Sequence, residues 1–236
     1  IEKMSKSKKN TVDPDAIIGA FGADIARWFV LSDSPPERDV EWTQSGAEGA
    51  ARFAQRIWSV FDALPETSSA AAGADEASIA LRKTSHKAVA SIDKAISDFR
   101  FNSAVATIYE WVTALKKAET GSDALVGARM EGASMLARCL TLFMPHLAET
   151  CWERIGGEGF VSAAAWPEPD PALLVDDSVT MAVQVNGKRR GEITVAKDLT
   201  SDAVEAAAFA DPEVAAFLNG KDVKKTIVVP GRIVNI

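Results

Sequence analysis

The chain has 236 residues, 47% of them hydrophobic and 25% charged, a composition typical of a globular protein with one or two domains. Its formal net charge of -7 argues mildly against a dedicated nucleic-acid binder but does not exclude local basic patches. No apolar run reaches the roughly 18 residues of a membrane helix. The two cysteines provide neither a disulfide framework nor a four-ligand metal site, so we expect a protein of the reducing cytoplasm.

A basic segment opens the chain. Residues 3–9 read Lys-Met-Ser-Lys-Ser-Lys-Lys, so with Glu2 ahead of them the first ten residues carry a local charge of +3. Ammonium groups, two small hydroxyls and backbone N–H groups together suit a polyphosphate. On charge alone, the alternative interpretation is a solvated basic loop. We refer to residues 3–9 as the lysine loop.

Helical patterns follow the lysine loop. Asp13-Pro14 offers a capping residue and a proline at the first helical position. Gly22 separates this helix from a second, which ends at Ser34-Pro35-Pro36. Apolar residues at spacings of three and four predict further helices over 43–64, 76–98, 102–118 and 123–155. Pro145 is expected to kink or divide the last of these, and the whole region is predicted to be a helical bundle.

The bundle offers few side chains of catalytic type. Four large aromatic residues are expected to pack in its core rather than to stack on bases: Trp58, Trp111, Phe143 and Trp152. His86 and His146 have no Cys, Asp or Glu at metal-ligand spacing. We therefore expect both histidines in packing or at the surface, and we predict no metal site. Basic residues of the bundle could face RNA, but their spacing does not select one face.

The pattern changes after residue 155. Glycines and prolines between 156 and 178 predict a linker or a wrapping segment. Alternating apolar residues then predict a strand over 179–185, and Asn186-Gly187 is a strong hairpin signal. Short helices over 201–209 and 212–218 and strands over 225–229 and 232–236 complete the pattern. A β-β-α-α-β-β order predicts a small α+β domain.

Several strings resemble class I aminoacyl-tRNA synthetases. Lys3-Met4-Ser5-Lys6-Ser7 is similar to the ATP-binding signature of that family. Residues 27–29, 34–42, 184–191 and 229–236 resemble the bacterial-type leucyl-tRNA synthetases in particular. The resemblance covers both ends of the chain, whereas the middle carries no sharp motif. It implies a mainly α fold: a helical bundle of the class Ia anticodon-binding type, followed by a small α+β C-terminal domain.

The resemblance also implies roles for the lysine loop. In the family reaction, the carboxylate of leucine attacks the α-phosphorus of ATP, which is used with Mg²⁺, and pyrophosphate leaves. Lys3 and Lys6 are similar to the catalytic lysines that neutralise the leaving oxygens. Met4, Ser5 and Ser7 would complete the ATP-binding loop. A mobile loop would also allow closure over ATP and release of product.

A second implied role is contact with tRNA-Leu by the C-terminal domain. Basic groups on a small domain can hold phosphates without reading bases. The candidate residues are Lys188, Arg189, Arg190, Lys224, Lys225 and Arg232. The alternative is a solvated hairpin tip and strand edge, where lysine discourages edge pairing.

The family's His-x-Gly-His motif does not occur, and we find neither a leucine pocket nor an editing insertion. We therefore expect the C-terminal part of a leucine–tRNA ligase that is inactive alone, monomeric and without membrane contact. Its parent would use leucine, ATP and tRNA-Leu. We expect catalytic-loop and connecting helices over 1–42, an anticodon-arm-binding bundle over 43–160, a linker over 161–177 and a tRNA-contacting domain over 178–236. The alternative is a stand-alone RNA-binding module without ligase activity.

Overall fold

A computed structural model of the chain describes residues 4–8, 11–65, 75–118, 122–175, 178–218 and 223–236. The chain divides into two compact units, Ile1–Leu174 and Val175–Ile236. The first unit is helical, and the second contains a four-stranded sheet. The predicted fold class, mainly α with a small α+β domain, is confirmed. None of the helices in the described ranges is long and apolar enough to cross a membrane.

The first unit is built mainly from amphipathic helices, and we call the part of it before residue 161 the bundle. They are α1 (Pro14–Phe21), α2 (Ala23–Asp33), α3 (Gln44–Asp62), α4 (Glu76–Ser97), α5 (Phe101–Lys117), α6 (Asp123–Leu140), α7 (Pro145–Arg154) and the short α8 (Pro171–Leu174). Four of them begin at a residue whose side chain accepts a hydrogen bond from a first-turn N–H: Asp13, Thr43, Asp75 and Ser122. Such caps satisfy backbone donors that have no partner inside the helix.

The predicted helix over 123–155 is divided in two. Helix α6 ends at Leu140, and Pro145 starts α7, because proline has no N–H to donate inside a helix. The carboxylate of Asp24, on α2, accepts hydrogen bonds from the backbone N–H groups of His146 (3.4 Å) and Leu147 (2.7 Å). A residue remote in sequence therefore caps α7, and this could not be predicted from local patterns.

Large aromatic side chains fill the bundle core. Trp111 and Phe143 are fully buried, as predicted, whereas Trp58 and Trp152 are half-buried at its margin. The indole N–H of Trp111 donates to the hydroxyl of Ser85 at 3.0 Å, so this buried donor has a partner. The predicted preference for packing over base stacking thus holds for Trp111 and Phe143.

Residues 161–174, which we call the strap, pack against the bundle. Val161 and Leu173 are buried, and α8 contacts α4. The sequence predicted a linker over 161–177, but the strap belongs to the first unit because its apolar side chains have places in the core. The alternative of a wrapping segment describes it better.

The second unit folds around one sheet. Its elements are β1 (Ser178–Val185), β2 (Lys188–Ala196), α9 (Ser201–Ala210), α10 (Pro212–Leu218), β3 (Ile227–Val229) and β4 (Ile233–Asn235). The strand order is β2-β1-β4-β3, with β1 and β4 parallel and the other pairs antiparallel. Asn186 and Gly187 form the β1–β2 turn with φ of 50° and 76°, which explains the Asn-Gly pair. Met181, Val183 and Val234 form its core with residues of α9 and α10.

Candidate nucleic-acid interface

Within the lysine loop, the structure describes residues 4–8. Residues 6–8 form one turn of 3-10 helix. The hydroxyls of Ser5 and Ser7 are 3.2 Å apart, and the N–H of Lys8 lies 3.3 Å from the Ser5 hydroxyl and 3.2 Å from the Ser5 carbonyl oxygen. The two serines therefore support the turn itself. Met4 is exposed, as are the side chains of Ser7 and Lys8.

The structure does not describe the side chains of the two lysines that are predicted to act in catalysis. Lys3 lies outside the described residues, and only the backbone of Lys6 is described. Their roles stay predictions. Asp13 caps α1 through the N–H of Asp15 at 3.1 Å, so the chain that leaves the loop enters a fixed helix start.

In the second unit, three predicted tRNA-contacting lysines lie at one end of the sheet. Lys188 begins β2 at the hairpin tip, and Lys224 and Lys225 precede β3 at the same end. All three are exposed. Strands β2 and β3 are the two edges of the sheet, about 14 Å apart at ordinary strand spacing. We call these residues the tip lysines; together they present positive charge across the width of the sheet.

A cavity of about 450 Å³ opens beside Lys224 and Lys225 at this end of the sheet. Its lining is mixed: Lys224, Lys225, Asn186 and Asn235 with Val185, Leu218, Val223, Ile227 and Ile236. Two hydrogen bonds fix the wall of the cavity between the β1–β2 turn and residues 235–236. The Asn186 N–H donates to the Ile236 carbonyl (2.9 Å), and the Gly187 N–H donates to the Asn235 side chain (3.2 Å). These hydrogen bonds therefore fix the shape of this end of the sheet, where lysine side chains lie beside apolar surface.

The other predicted basic residues differ from the tip lysines. Arg190 is half-buried, with its guanidinium carbon 4.0 Å from the centre of the Phe217 ring. Its Nε is buried and has no hydrogen-bond partner among the described residues. Arg189 forms an ion pair with Glu192. Arg232 is exposed but lies in the β3–β4 turn, at the opposite end of β4 from Asn235. The structure thus separates residues that the sequence grouped together.

The Arg190 side chain lies over α10, and β2 lies close to that helix. A Cβ atom on Gly191 would approach the Asp211 carboxylate to 2.8 Å and a Val214 methyl to 2.9 Å. Asp211 also accepts hydrogen bonds from the N–H groups of Glu213 and Val214, and so caps the first turn of α10. Gly191 therefore permits the contact that brings the Arg190 side chain over α10.

Two family models match the chain. The model of the anticodon-binding domain of tRNA ligase matches residues 79–206, more than half of the chain. The chain belongs to this anticodon-binding domain family. A second model, of tRNA synthetases class I (I, L, M and V), matches residues 2–43 and so includes the lysine loop.

The relatives that match the chain at high identity are named leucine–tRNA ligase. The chain is 73% identical over 237 residues to a leucine–tRNA ligase of Hyphomonas neptunium and 55% identical over 240 residues to one of Maricaulis maris. Each alignment covers all of this chain but only 28% of the relative. Among solved structures, it is similar to the agnB2 LeuRS of Agrobacterium radiobacter K84 in a ternary LeuRS–tRNA–LeuAMS complex. The TM-score is 0.79 at 26% identity, over 99% of this chain and 31% of that one.

The bundle also has a basic seam that sequence spacing did not reveal. The Arg56 guanidinium on α3 donates to the Thr113 hydroxyl on α5 at 3.0 Å, and the Lys116 ammonium donates to the Ser59 hydroxyl at 3.1 Å. These paired contacts place both cations along the junction of α3 and α5. Arg82 lies elsewhere, on α4, paired with Glu131 at 2.6 Å. The seam is defined by side-chain contacts between two helices, and the spacing of basic residues along a single helix does not reveal it.

Ionisable groups inside the bundle serve its structure. Burial acts to raise the pKa of Glu131, but hydrogen bonds from Arg82 and His86 outweigh it and hold that pKa below its ordinary value. Burial raises the pKa of the Cys139 and Cys151 thiols to about 12, so both stay protonated and unreactive at neutral pH. No cluster of His, Cys, Asp or Glu that could hold a metal occurs among the described residues.

Proposed function

We propose that this chain is the C-terminal part of a leucine–tRNA ligase, which activates leucine with ATP and transfers it to tRNA-Leu. The observation that carries the proposal is the 73% identity to a leucine–tRNA ligase across all of this chain. The lysine loop, the bundle and the second unit would serve different steps of the same reaction.

In the proposed activation step, the lysine loop acts on the phosphates of ATP. An oxygen of the leucine carboxylate forms a bond to the α-phosphorus, and the bond to the departing pyrophosphate breaks. Negative charge grows on the leaving oxygens, so Lys3 and Lys6 would stabilise the transition state more than the bound substrate. The Ser5–Ser7 contact supports this role by holding the short turn that contains Lys6.

In the proposed tRNA step, the tip lysines hold the ribose-phosphate backbone. Their exposure and their position at both edges of the sheet favour a row of phosphates over a single small anion. Arg56 and Lys116, in the seam between α3 and α5, offer a second contact on the bundle. Arg190 makes no such contact in this proposal, because its guanidinium is already stacked on Phe217.

Two assays test the proposal. The full-length enzyme should catalyse leucine-dependent exchange of pyrophosphate into ATP and should charge tRNA-Leu. Residues 1–236 alone should catalyse no exchange, since the chain lacks the His-x-Gly-His motif of the nucleotide-binding half. Leucine-dependent exchange by the chain alone, or failure of the full-length enzyme to charge tRNA-Leu, would contradict it.

A further inference from the structure

The strap is fastened to the bundle along its length by polar contacts. At its start, the Glu149 carboxylate accepts hydrogen bonds from the backbone N–H groups of Val161 (2.8 Å) and Ser162 (3.2 Å). In its middle, the Trp166 indole N–H donates to the Asp93 carboxylate at 2.5 Å, and Arg138 donates to the Ala165 carbonyl at 3.3 Å. Helices α4, α6 and α7 therefore all hold it.

At the far end of the strap, the side chain of His86 on α4 connects the strap to the bundle. Only 4% of its surface is exposed, and both ring nitrogens have partners. The Asp170 N–H donates to Nδ1 at 2.8 Å, so Nδ1 carries no proton. Nε2 then carries the proton and donates to Glu131 at 3.1 Å, while Arg82 holds the same carboxylate. The ring thus bridges α6 and the strap.

This fastening decides how many residues join the two units. With the strap held, only residues 175–177 separate Leu174 from the start of β1 at Ser178. With the strap released, the connecting segment would extend over 161–177. Effective concentration falls roughly as the three-halves power of tether length, so the longer tether would lower it about tenfold.

We propose that the strap is a clasp, with His86 as its positioning residue, that shortens the tether of the second unit and so strengthens binding of a tRNA that both units contact. The inference rests on the proposed function but is separable from it. The clasp concerns tether length, whereas the proposed function concerns which groups touch the ligand.

The test uses three variants of the full-length enzyme. The open-clasp variant, His86→Leu with Trp166→Phe, removes two fasteners while keeping apolar bulk. The insertion variant adds about twelve Gly/Ser residues after Val175, which lengthens the tether without touching the clasp. The third combines both changes. Lys94→Ala is the matched control on α4, because Lys94 pairs with Asp98 on the exposed side of that helix.

The readouts are tRNA-Leu affinity, leucine-dependent exchange, and proteolysis within 161–174. We expect the open-clasp variant to be cut faster there and to bind tRNA up to about tenfold more weakly, with exchange unchanged. The insertion variant should lose affinity to a similar degree, and the combined variant should lose little more than either. The control should match the parent in all three.

The clasp is overturned if the open-clasp variant is cut in the strap yet binds tRNA like the parent, or if the two losses multiply. An insertion variant with parent affinity would also overturn it, and this arm stands even if the open-clasp variant folds poorly. Failure of the proposed function gives a different pattern: substituting the tip lysines would then leave tRNA affinity unchanged.

Discussion

The bundle and the second unit use charged residues in different ways. In the bundle, Asp24 caps a helix from another helix, and His86 bridges Glu131 to the strap. In the second unit, the tip lysines are exposed at the end of a sheet whose small core is entirely apolar. These charged groups of the first unit thus join its own elements, whereas the tip lysines of the second unit are exposed to solvent.

Arg190 is the instructive exception. It adjoins Lys188 and Arg189 in sequence, but its guanidinium stacks on Phe217 and its Nε is buried. The register of β2 against β1 shifts at this point, where Arg189 pairs with Gln184, Gly191 pairs with Val183 and Arg190 has no partner on β1. A bulge of this kind re-aims a side chain, so the members of the basic triplet do not form one patch. The comparison between the units therefore depends on where each side chain points rather than on local net charge.

The largest expected effect concerns the lysine loop, and it tests whether this loop of the first unit acts in leucine activation. In the full-length enzyme, Lys3→Ala or Lys6→Ala should slow leucyl-adenylate formation by roughly a hundredfold, because one preorganised donor contributes about 3 kcal/mol to the transition state. Pre-steady-state kinetics with leucine and ATP measures the rate. Lys8→Ala is the control, and activation at the parent rate by both variants would remove the loop from catalysis.

The next effect concerns the tip lysines. Replacing Lys188, Lys224 and Lys225 together by alanine should weaken tRNA binding by about tenfold or more at moderate salt and flatten its salt dependence. Each lost phosphate contact lowers the slope of log affinity against log salt by roughly 0.7 to 0.9. Filter binding from low to moderate salt measures the slope.

Lys197 supplies the matched control for the tip lysines. It is exposed and follows β2, at the other end of the sheet. Lys197→Ala should leave the slope near the parent value. If the triple variant keeps the parent slope, or if Lys197→Ala flattens it equally, the sheet end is not the site of contact.

A smaller effect would show that Arg190 is structural. Phe217→Leu should lower the free energy of unfolding of the second unit by about 1 kcal/mol, because leucine has no π face for the guanidinium. Urea unfolding of Phe217→Leu, Arg190→Met and the double variant forms a cycle that isolates their coupling. A coupling near zero, together with a flatter salt slope for Arg190→Met, would instead assign Arg190 to tRNA.

Much of the fold could be predicted from local patterns. The starts of α1 and α7 follow from Pro14 and Pro145, and the β1–β2 turn follows from Asn186-Gly187. The order of elements in the second unit was predicted correctly. These features depend on backbone chemistry within a few residues, which a sequence displays directly.

What could not be predicted depends on contacts between distant residues. The Asp24 cap on α7 joins residues more than 120 positions apart, and the strap is held by α4, α6 and α7. Glycine and proline in 156–178 signalled irregular chain but could not show that Val161 and Leu173 are buried. The parallel pairing of β1 with β4 is likewise a choice of topology.

The central claim is that the second unit serves tRNA and not leucine activation. The most direct test removes residues 175–236 from the full-length enzyme, since unit two begins at Val175. Exchange of pyrophosphate and affinity for tRNA-Leu are then measured on the same preparation. We predict leucine-dependent exchange within about twofold of the parent and tRNA affinity lowered by about tenfold or more. Exchange that falls in step with tRNA binding, or unchanged tRNA binding, would contradict this account.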